Sequence, residues 1–176
     1  PDDHDALKFI ESEIKIIFIT ADKKGFKISK KRIVDDMGFD LELIGSFDRK
    51  NWLVKNFNPS EVIYIADGLL DFFTMKIVGY SIAPNDASTF AKQEADYITL
   101  RNGGDRCVAE AVFHIAEKFF DKNFLQALRK SLSFSLSLNC FRTSRFSPRV
   151  HHNSYQHVQP SSSILRVGVR YSEVEI

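Results

Sequence analysis

The chain has 176 residues, a net charge of +1, 44% hydrophobic and 27% charged residues, the balance of one soluble domain with an ordinary core. No apolar run approaches the roughly 20 residues that span a bilayer. The opening Pro1-Asp2-Asp3-His4-Asp5 has the wrong charge for a secretory signal, so the expectation is a soluble, cytoplasmic protein. Cys107 and Cys140 stand in no Cys-x-x-Cys or Cys/His ligand spacing, which leaves a disulfide scaffold or a zinc site without support.

From residue 4 to about residue 122 short apolar runs alternate with amphipathic segments, the pattern of β-α units that feed a parallel sheet. The predicted fold class is α/β. Its strands, in chain order, are Ile14 to Ile19, Leu41 to Ile44, Val62 to Ala66, Tyr80 to Ala83 and, shorter, Tyr97 to Thr99. The first and third are apolar without alternation, as expected of central strands covered on both faces. Ser29 to Met37 reads as a helix stopped by Gly38, and Asp48 to Phe57 as a second, with Trp52, Leu53 and Phe57 as its core stripe. Gly103 to Phe120 is the longest helix, and His114 within it reads as a packing residue, because no second metal ligand sits three or four positions away.

Beyond residue 122 the text changes. Residues 126–176 carry seven Arg and Lys against two Glu, leaving the rest at minus four, and serine becomes the commonest residue. The sequence thus divides into a domain over residues 1–122 and a basic, Ser-rich extension over 123–176. Scattered arginines without a recognisable fold read as a solvated extension, and nucleic acid is an unlikely partner. Ser131 to Leu138 alternates with period two, compatible with an added strand or with the end of a helix. Val167 to Tyr171 is another short strand candidate.

In open parallel sheets ligands gather outside the carboxyl ends of the strands. Thr20-Ala21-Asp22 follows the first strand and Asp67-Gly68-Leu69-Leu70-Asp71 the third. Two carboxylates four apart at a strand-to-helix turn suit a hard cation such as magnesium, which takes one or two protein carboxylates and keeps several waters. The same acids also suit the N-terminus of the following helix, and spacing alone leaves both readings open.

The run Ile63-Tyr64-Ile65-Ala66-Asp67-Gly68-Leu69-Leu70-Asp71 resembles the fourth motif of the haloacid-dehalogenase superfamily of phosphotransferases, and Ile17-Phe18-Ile19-Thr20-Ala21 resembles its second. Val78 to Ala87, Ala95 to Thr99 and Gly103-Gly104 look most like the cap-less branch that contains 3-deoxy-manno-octulosonate 8-phosphate phosphatases and the phosphatase-like domains joined to acylneuraminate cytidylyltransferases. The resemblance covers about residues 4–120. It implies a three-layer α/β/α Rossmann-like fold and a magnesium-dependent phosphatase acting on a phosphorylated sugar acid or similar small metabolite. It also implies a homo-oligomer, tetrameric in related families. Asp67 would bind Mg2+ directly, and Asp71 would bind it or orient its water. Thr20 and the N–H of Ala21 would hold a phosphoryl oxygen, and Arg49 or Lys50 would neutralise charge on the phosphate and the nucleophile.

Two positions depart from the pattern. Ala66 replaces a common glycine at the cost of one methyl group. The family's nucleophile is the first Asp of an Asp-x-Asp pair ending an apolar strand, and its second Asp is the general acid and base. Asp3-His4-Asp5 has the letters without the strand, so the nucleophile is unassigned. The expectation is a domain lacking its first strand and acting poorly as a catalyst alone. A non-catalytic binding or assembly domain, associated with a sugar-nucleotide cytidylyltransferase, is the alternative.

Overall fold

The apolar runs at Ile14 and Val62 become inner strands of a wholly parallel six-stranded sheet in the computed structural model, which describes residues 2–120, Gln126 and the strand 165–169. Along the chain come α1 (Asp2–Ile10), β1 (Ile14–Thr20), α2 (Phe26–Lys30) prolonged by a π-helical turn (Lys31–Asp36), and β2 (Asp40–Leu43). There follow α3 (Arg49–Asn56), a 3-10 turn (Pro59–Glu61), β3 (Val62–Ile65), a second 3-10 turn (Leu69–Asp71) leading into α4 (Phe72–Met75), and β4 (Tyr80–Ala83). The remainder is α5 (Thr89–Glu94), β5 (Tyr97–Ile98), α6 (Cys107–Phe119) and β6 (Leu165–Val169). Every residue of β3 and β4 is buried, which a strand achieves only when both faces of the sheet are covered. Among the described residues no helix is long and apolar enough to cross a membrane.

Strand order is β2-β1-β6-β3-β4-β5. The strand expected at Val167 to Tyr171 thus lies at Leu165–Val169, and it occupies the middle of the sheet. It pairs with Ile14 to Phe18 on one side and with Val62 to Ile65 on the other. The expected gap where a first strand is lacking is therefore filled from the far end of the sequence. The physical reason is that two inner strands facing an empty slot would leave rows of buried N–H and C=O groups unpaired. The period-two segment Ser131 to Leu138 lies outside the described residues. The chain divides into two compact units, Pro1–His114 with Ile164–Ile176, and Ile115–Ser163. The whole sheet belongs to the first. In the second, Lys118 lies over the Phe119 ring with 5.8 Å to its centroid.

Local chemistry explains most boundaries. Gly38, at φ +77°, ends the second helical segment in the left-handed conformation that glycine adopts without penalty, its N–H donating to Val34 O at 3.1 Å. Ser88 caps α5 by accepting from the Ala91 N–H at 3.2 Å. Asp96 fastens β4 to the start of β5, accepting from the Ser81 N–H at 2.8 Å and the Ser81 hydroxyl at 2.9 Å.

Gly79 precedes β4 where its backbone passes the turn before β3, donating to Pro59 O at 2.8 Å. A Cβ there would stand 2.0 Å from the Ser60 carbonyl oxygen. Backbone cannot yield as a flexible side chain does, so Gly79→Ala is expected to destabilise by about 1–3 kcal/mol, the range of overpacked sites. Chemical denaturation checks this; an unchanged midpoint would show that the entries to β3 and β4 part without cost.

Candidate active site

The sheet order changes direction at its centre: from β1 the chain moves outward to β2, and from β3 outward to β4 and β5. Ligands of open parallel sheets collect outside the carboxyl ends at such a switch point. Thr20 ends β1 and Asp67 lies two residues past β3, on either side of β6. Phe18 and Ile65 both pair with Val169, so Thr20 and Asp67, each two residues further on, stand at the same height. Two strand spacings separate them by roughly 10 Å, the span of a phosphoryl group with a hydrated cation beside it.

Asp67 lies in the wall of a cavity of about 710 Å³ with Ile65, Ala66, Pro84 and the loop Gly103 to Arg106. Asp2, Asp3 and His4 of α1 and Arg32, Asp36 and Met37 line the same cavity, Asp2 lying 3.6 Å from Arg106. Sequence reading assigned no site role to Asp36, Arg32, Asp105 or Arg106; only their nearness in the folded chain selects them. The loops are held from behind. Asp67 O accepts from the Ser88 N–H at 2.9 Å, and Asp86 accepts from the Gly103 N–H at 2.7 Å. Glu110 gathers the N–H groups of Leu100 and Arg101 at 2.8 and 3.1 Å. The stretch from Asp67 to Gly104, the most specific part of the sequence resemblance, is thus one hydrogen-bonded wall.

Asp71 takes a different position from Asp67. Its Oδ1 accepts from Arg49 Nη1 and from the Tyr64 hydroxyl at 2.8 Å, and its Oδ2 accepts from the Gly68 N–H at 2.9 Å. Arg49 and Asp71 are 2% and 1% exposed, and Arg49 Nε and Nη2 have no hydrogen-bond partner among the described residues. Burial opposes the Arg49 charge, but Tyr64 and Asp71 outweigh it and hold the guanidinium above its ordinary range. Burial first, then the Asp71 charge, pushes the Tyr64 phenol well above its usual value. Lys50, the neighbouring basic candidate, is exposed. Geometry therefore carries Arg49 inward and leaves Lys50 in solvent. Tyr64 reads as core in the sequence; the detectable signal was a hydroxyl in an otherwise aliphatic strand, which needs a partner when buried.

Thr20, Ala21, Arg49, Lys50 and Asp71 are not among the residues lining the Asp67 cavity. Thr20 Oγ1 accepts from the Asp22 N–H at 3.2 Å, and Asp22 in turn accepts from Lys24 and Gly25, fixing the turn that presents Thr20 and Ala21. Of the two acids expected to hold magnesium, Asp67 lines the cavity and Asp71 does not. Asp71, already accepting three hydrogen bonds, fits as its anchor. One carboxylate with water completing the shell is within magnesium's habits, and no group of three or more metal-ligating side chains occurs among the described residues.

Asp3 and Asp5 lie on α1 and end no strand, although Asp3 lines the Asp67 cavity. Asp3 Oδ1 accepts from the Ala109 N–H at 2.8 Å, capping α6 from 106 residues away. Asp3→Ala is expected to cost about 1 kcal/mol, the worth of an N-cap, measured as a lower denaturation midpoint; Asp3→Asn, which keeps an acceptor, should lose less. His114 packs flat on Tyr97, ring centroids 3.7 Å apart, and its Nε2 meets the Tyr80 hydroxyl at 2.8 Å. Cys107 is buried in the cavity wall, its thiol pushed up to about 11, chiefly by burial, so it is a weak nucleophile near neutral pH.

No protein-family model matches the chain. Its fold is that of haloacid-dehalogenase hydrolases of known structure. The 3-deoxy-D-manno-octulosonate 8-phosphate phosphatase of Moraxella catarrhalis, solved with magnesium, phosphate and KDO, superposes with a TM-score of 0.62 at 23% identity, over 73% of this chain and 75% of that one. A "probable yrbi family phosphatase" from Pseudomonas syringae gives 0.61 at 23% identity, over 77% and 75%. The cobalt-bound deoxy-D-mannose-octulosonate 8-phosphate phosphatase of Haemophilus influenzae gives 0.52 at 21%, over 66% and 70%.

Proposed function

We propose that this fold carries a magnesium-dependent phosphomonoester site for a phosphorylated sugar acid or similar small metabolite. The observation that supports it most is the placement of Thr20 and Asp67 at equal height on the two strands that flank the switch point. Asp67 is the direct cation ligand and Asp71 positions the loop that carries it, through Gly68. Thr20 Oγ1 and the Ala21 N–H bind a phosphoryl oxygen and hold the group in line for attack. Arg49, braced by Asp71 and Tyr64, supplies the fixed positive charge behind the site. A divalent cation bound at Asp67 neutralises charge on the phosphoryl oxygens. Similar structures that hold magnesium with phosphate, or cobalt, support a divalent metal.

By itself the chain is a poor hydrolase in this reading, because no strand among residues 2–120 ends in Asp-x-Asp and β6 is followed by Arg170-Tyr171-Ser172. That last feature also favours the second reading, a domain that binds phosphoryl ligands without cleaving them. A thermal-shift titration tests the shared premise. Phosphate should raise the melting temperature only when Mg2+ is present, by mass action on the folded state, and Thr20→Val should abolish most of the rise. A rise that ignores Mg2+ and Thr20 would contradict the assignment.

A further inference from the structure

The helical segment between β1 and β2 carries a charge that its surroundings do not neutralise. Residues 23–32 hold six basic residues and no acid, within a part of the chain, residues 1–125, whose net charge is minus four. Lys23 and Lys24 stand in the turn before α2, and Lys27, Lys30 and Lys31 lie three and four positions apart, so they share one helix face. All five are exposed, and none takes part in an ion pair among the described residues. The same segment buries Ile33 and Met37, so the lysines mark the side that it presents to solvent. Two apolar side chains border them. Ile28, three residues before Lys31, is 75% exposed and Phe47 is 81% exposed, two of the three most exposed large apolar side chains among the described residues. Phe47 lies in the loop after β2, which leaves the sheet beside the turn of Lys23 and Lys24, because the Ile44 N–H donates to Thr20 O at 2.8 Å.

We propose that α2, the turn before it and the Phe47 loop form a docking face for an anionic lipid bilayer, bound peripherally. The proposal goes beyond the phosphatase reading and does not depend on it. Charge complementarity supplies the attraction, since each lysine held near an anionic leaflet adds to binding within about a Debye length of the surface. Outside this stripe residues 1–125 are net acidic, so the same leaflet repels the other faces and selects this one. Lysine is a hydrated point charge on a flexible stem, without the planar fork of arginine. That chemistry suits a diffuse layer of headgroups better than one fixed phosphate. Ile28 and Phe47 decide between a bilayer and a nucleic acid. Apolar side chains set among lysines enter the boundary between headgroups and acyl chains, while the lysine stems lie along them and keep their ammonium groups in water. A phosphodiester backbone, read through charge and hydrogen bonds, gives the two side chains no such place.

Co-sedimentation of the full chain with lipid vesicles tests this. The chain should bind mixed phosphatidylserine and phosphatidylcholine vesicles at about 0.1 M salt, lose most of that binding at about 0.5 M salt, and ignore vesicles of phosphatidylcholine alone. Lys27→Gln combined with Lys30→Gln and Lys31→Gln should weaken binding by about tenfold or more and leave the melting temperature unchanged, because the three side chains are exposed. Ile28→Ser with Phe47→Ser should weaken binding severalfold and keep its salt dependence. In Ile28→Trp, mixed vesicles should shift the fluorescence emission to the blue by more than in the parent, as insertion requires. Absence of sedimentation with the mixed vesicles overturns the proposal. Binding that survives the triple lysine variant also overturns it, by assigning the attraction to the basic residues 126–176. A single-stranded oligonucleotide bound as tightly as the mixed vesicles, with no effect of Ile28→Ser and Phe47→Ser on either ligand, overturns it as well, by assigning the stripe to phosphodiester chains.

Discussion

Asp71→Ala is expected to lower the unfolding free energy by about 3–5 kcal/mol, the cost of stripping one partner from a buried ion pair. The size follows from the setting: Asp71 accepts from both Arg49 and the Tyr64 hydroxyl, and all three side chains are buried. Removing the carboxylate leaves a buried cation without its counter-charge, a phenol without an acceptor, and the Gly68 N–H without its partner. Exchanging both charges together, Arg49→Met with Asp71→Leu, should lose much less, because no uncompensated charge remains. Equal losses in the single and double variants would remove electrostatics from the explanation.

The same cluster fixes a sign for alkaline pH. Tyr64 has its phenol pKa raised above the ordinary 10.0, first by burial and next by Asp71. The folded state therefore keeps a proton that the unfolded chain loses, so its stabilisation is complete below about pH 10 and declines as pH rises beyond that. Tyr64→Phe should be less stable than the parent near neutral pH and decline less steeply above pH 10.

Asp67→Asn is the opposite kind of variant. Its side chain is half-buried in a cavity lined by Asp2, Asp3, Asp36 and Asp105 and also by Arg32 and Arg106, so losing one charge there leaves the packing of the fold in place. Stability should be unchanged or raised by up to about 1 kcal/mol, as when a functional group held against its own stability is removed. Cation binding should fall at least tenfold. Asp67 and Asp71 are thus expected to separate cleanly, one affecting ligand binding with the fold intact and the other affecting the fold.

That separation was not legible in the sequence. Four-residue spacing at a strand-to-helix turn fits two acids on one cation and fits a helix cap equally well; Asp71 in fact meets α3 and β3, contacts 22 and 7 residues away. Legible were the features carried by local pattern: the unalternating strands β1 and β3, Gly38 as a stop, Thr20 and Asp67 at strand ends. α5 escaped notice because six residues are too few to display a helical period. β6 was expected as a strand two residues late, at Val167 to Tyr171, but its place was not, because nothing local says that it pairs with strands 100 and more residues earlier. The centre of the sheet, where topology matters most for the site, was therefore the part that local chemistry described least.

Electron paramagnetic resonance of Mn2+, a paramagnetic substitute for Mg2+, tests the central assignment most directly. Free Mn2+ is titrated with the protein in the presence and absence of inorganic phosphate. The placement of Asp67 beside Thr20 predicts that phosphate tightens Mn2+ binding, that Asp67→Asn abolishes it, and that Thr20→Val removes the phosphate dependence while leaving weak binding. Mn2+ binding equal in the parent and Asp67→Asn, with or without phosphate, would contradict a metal-assisted phosphoryl site at the carboxyl ends of β1 and β3.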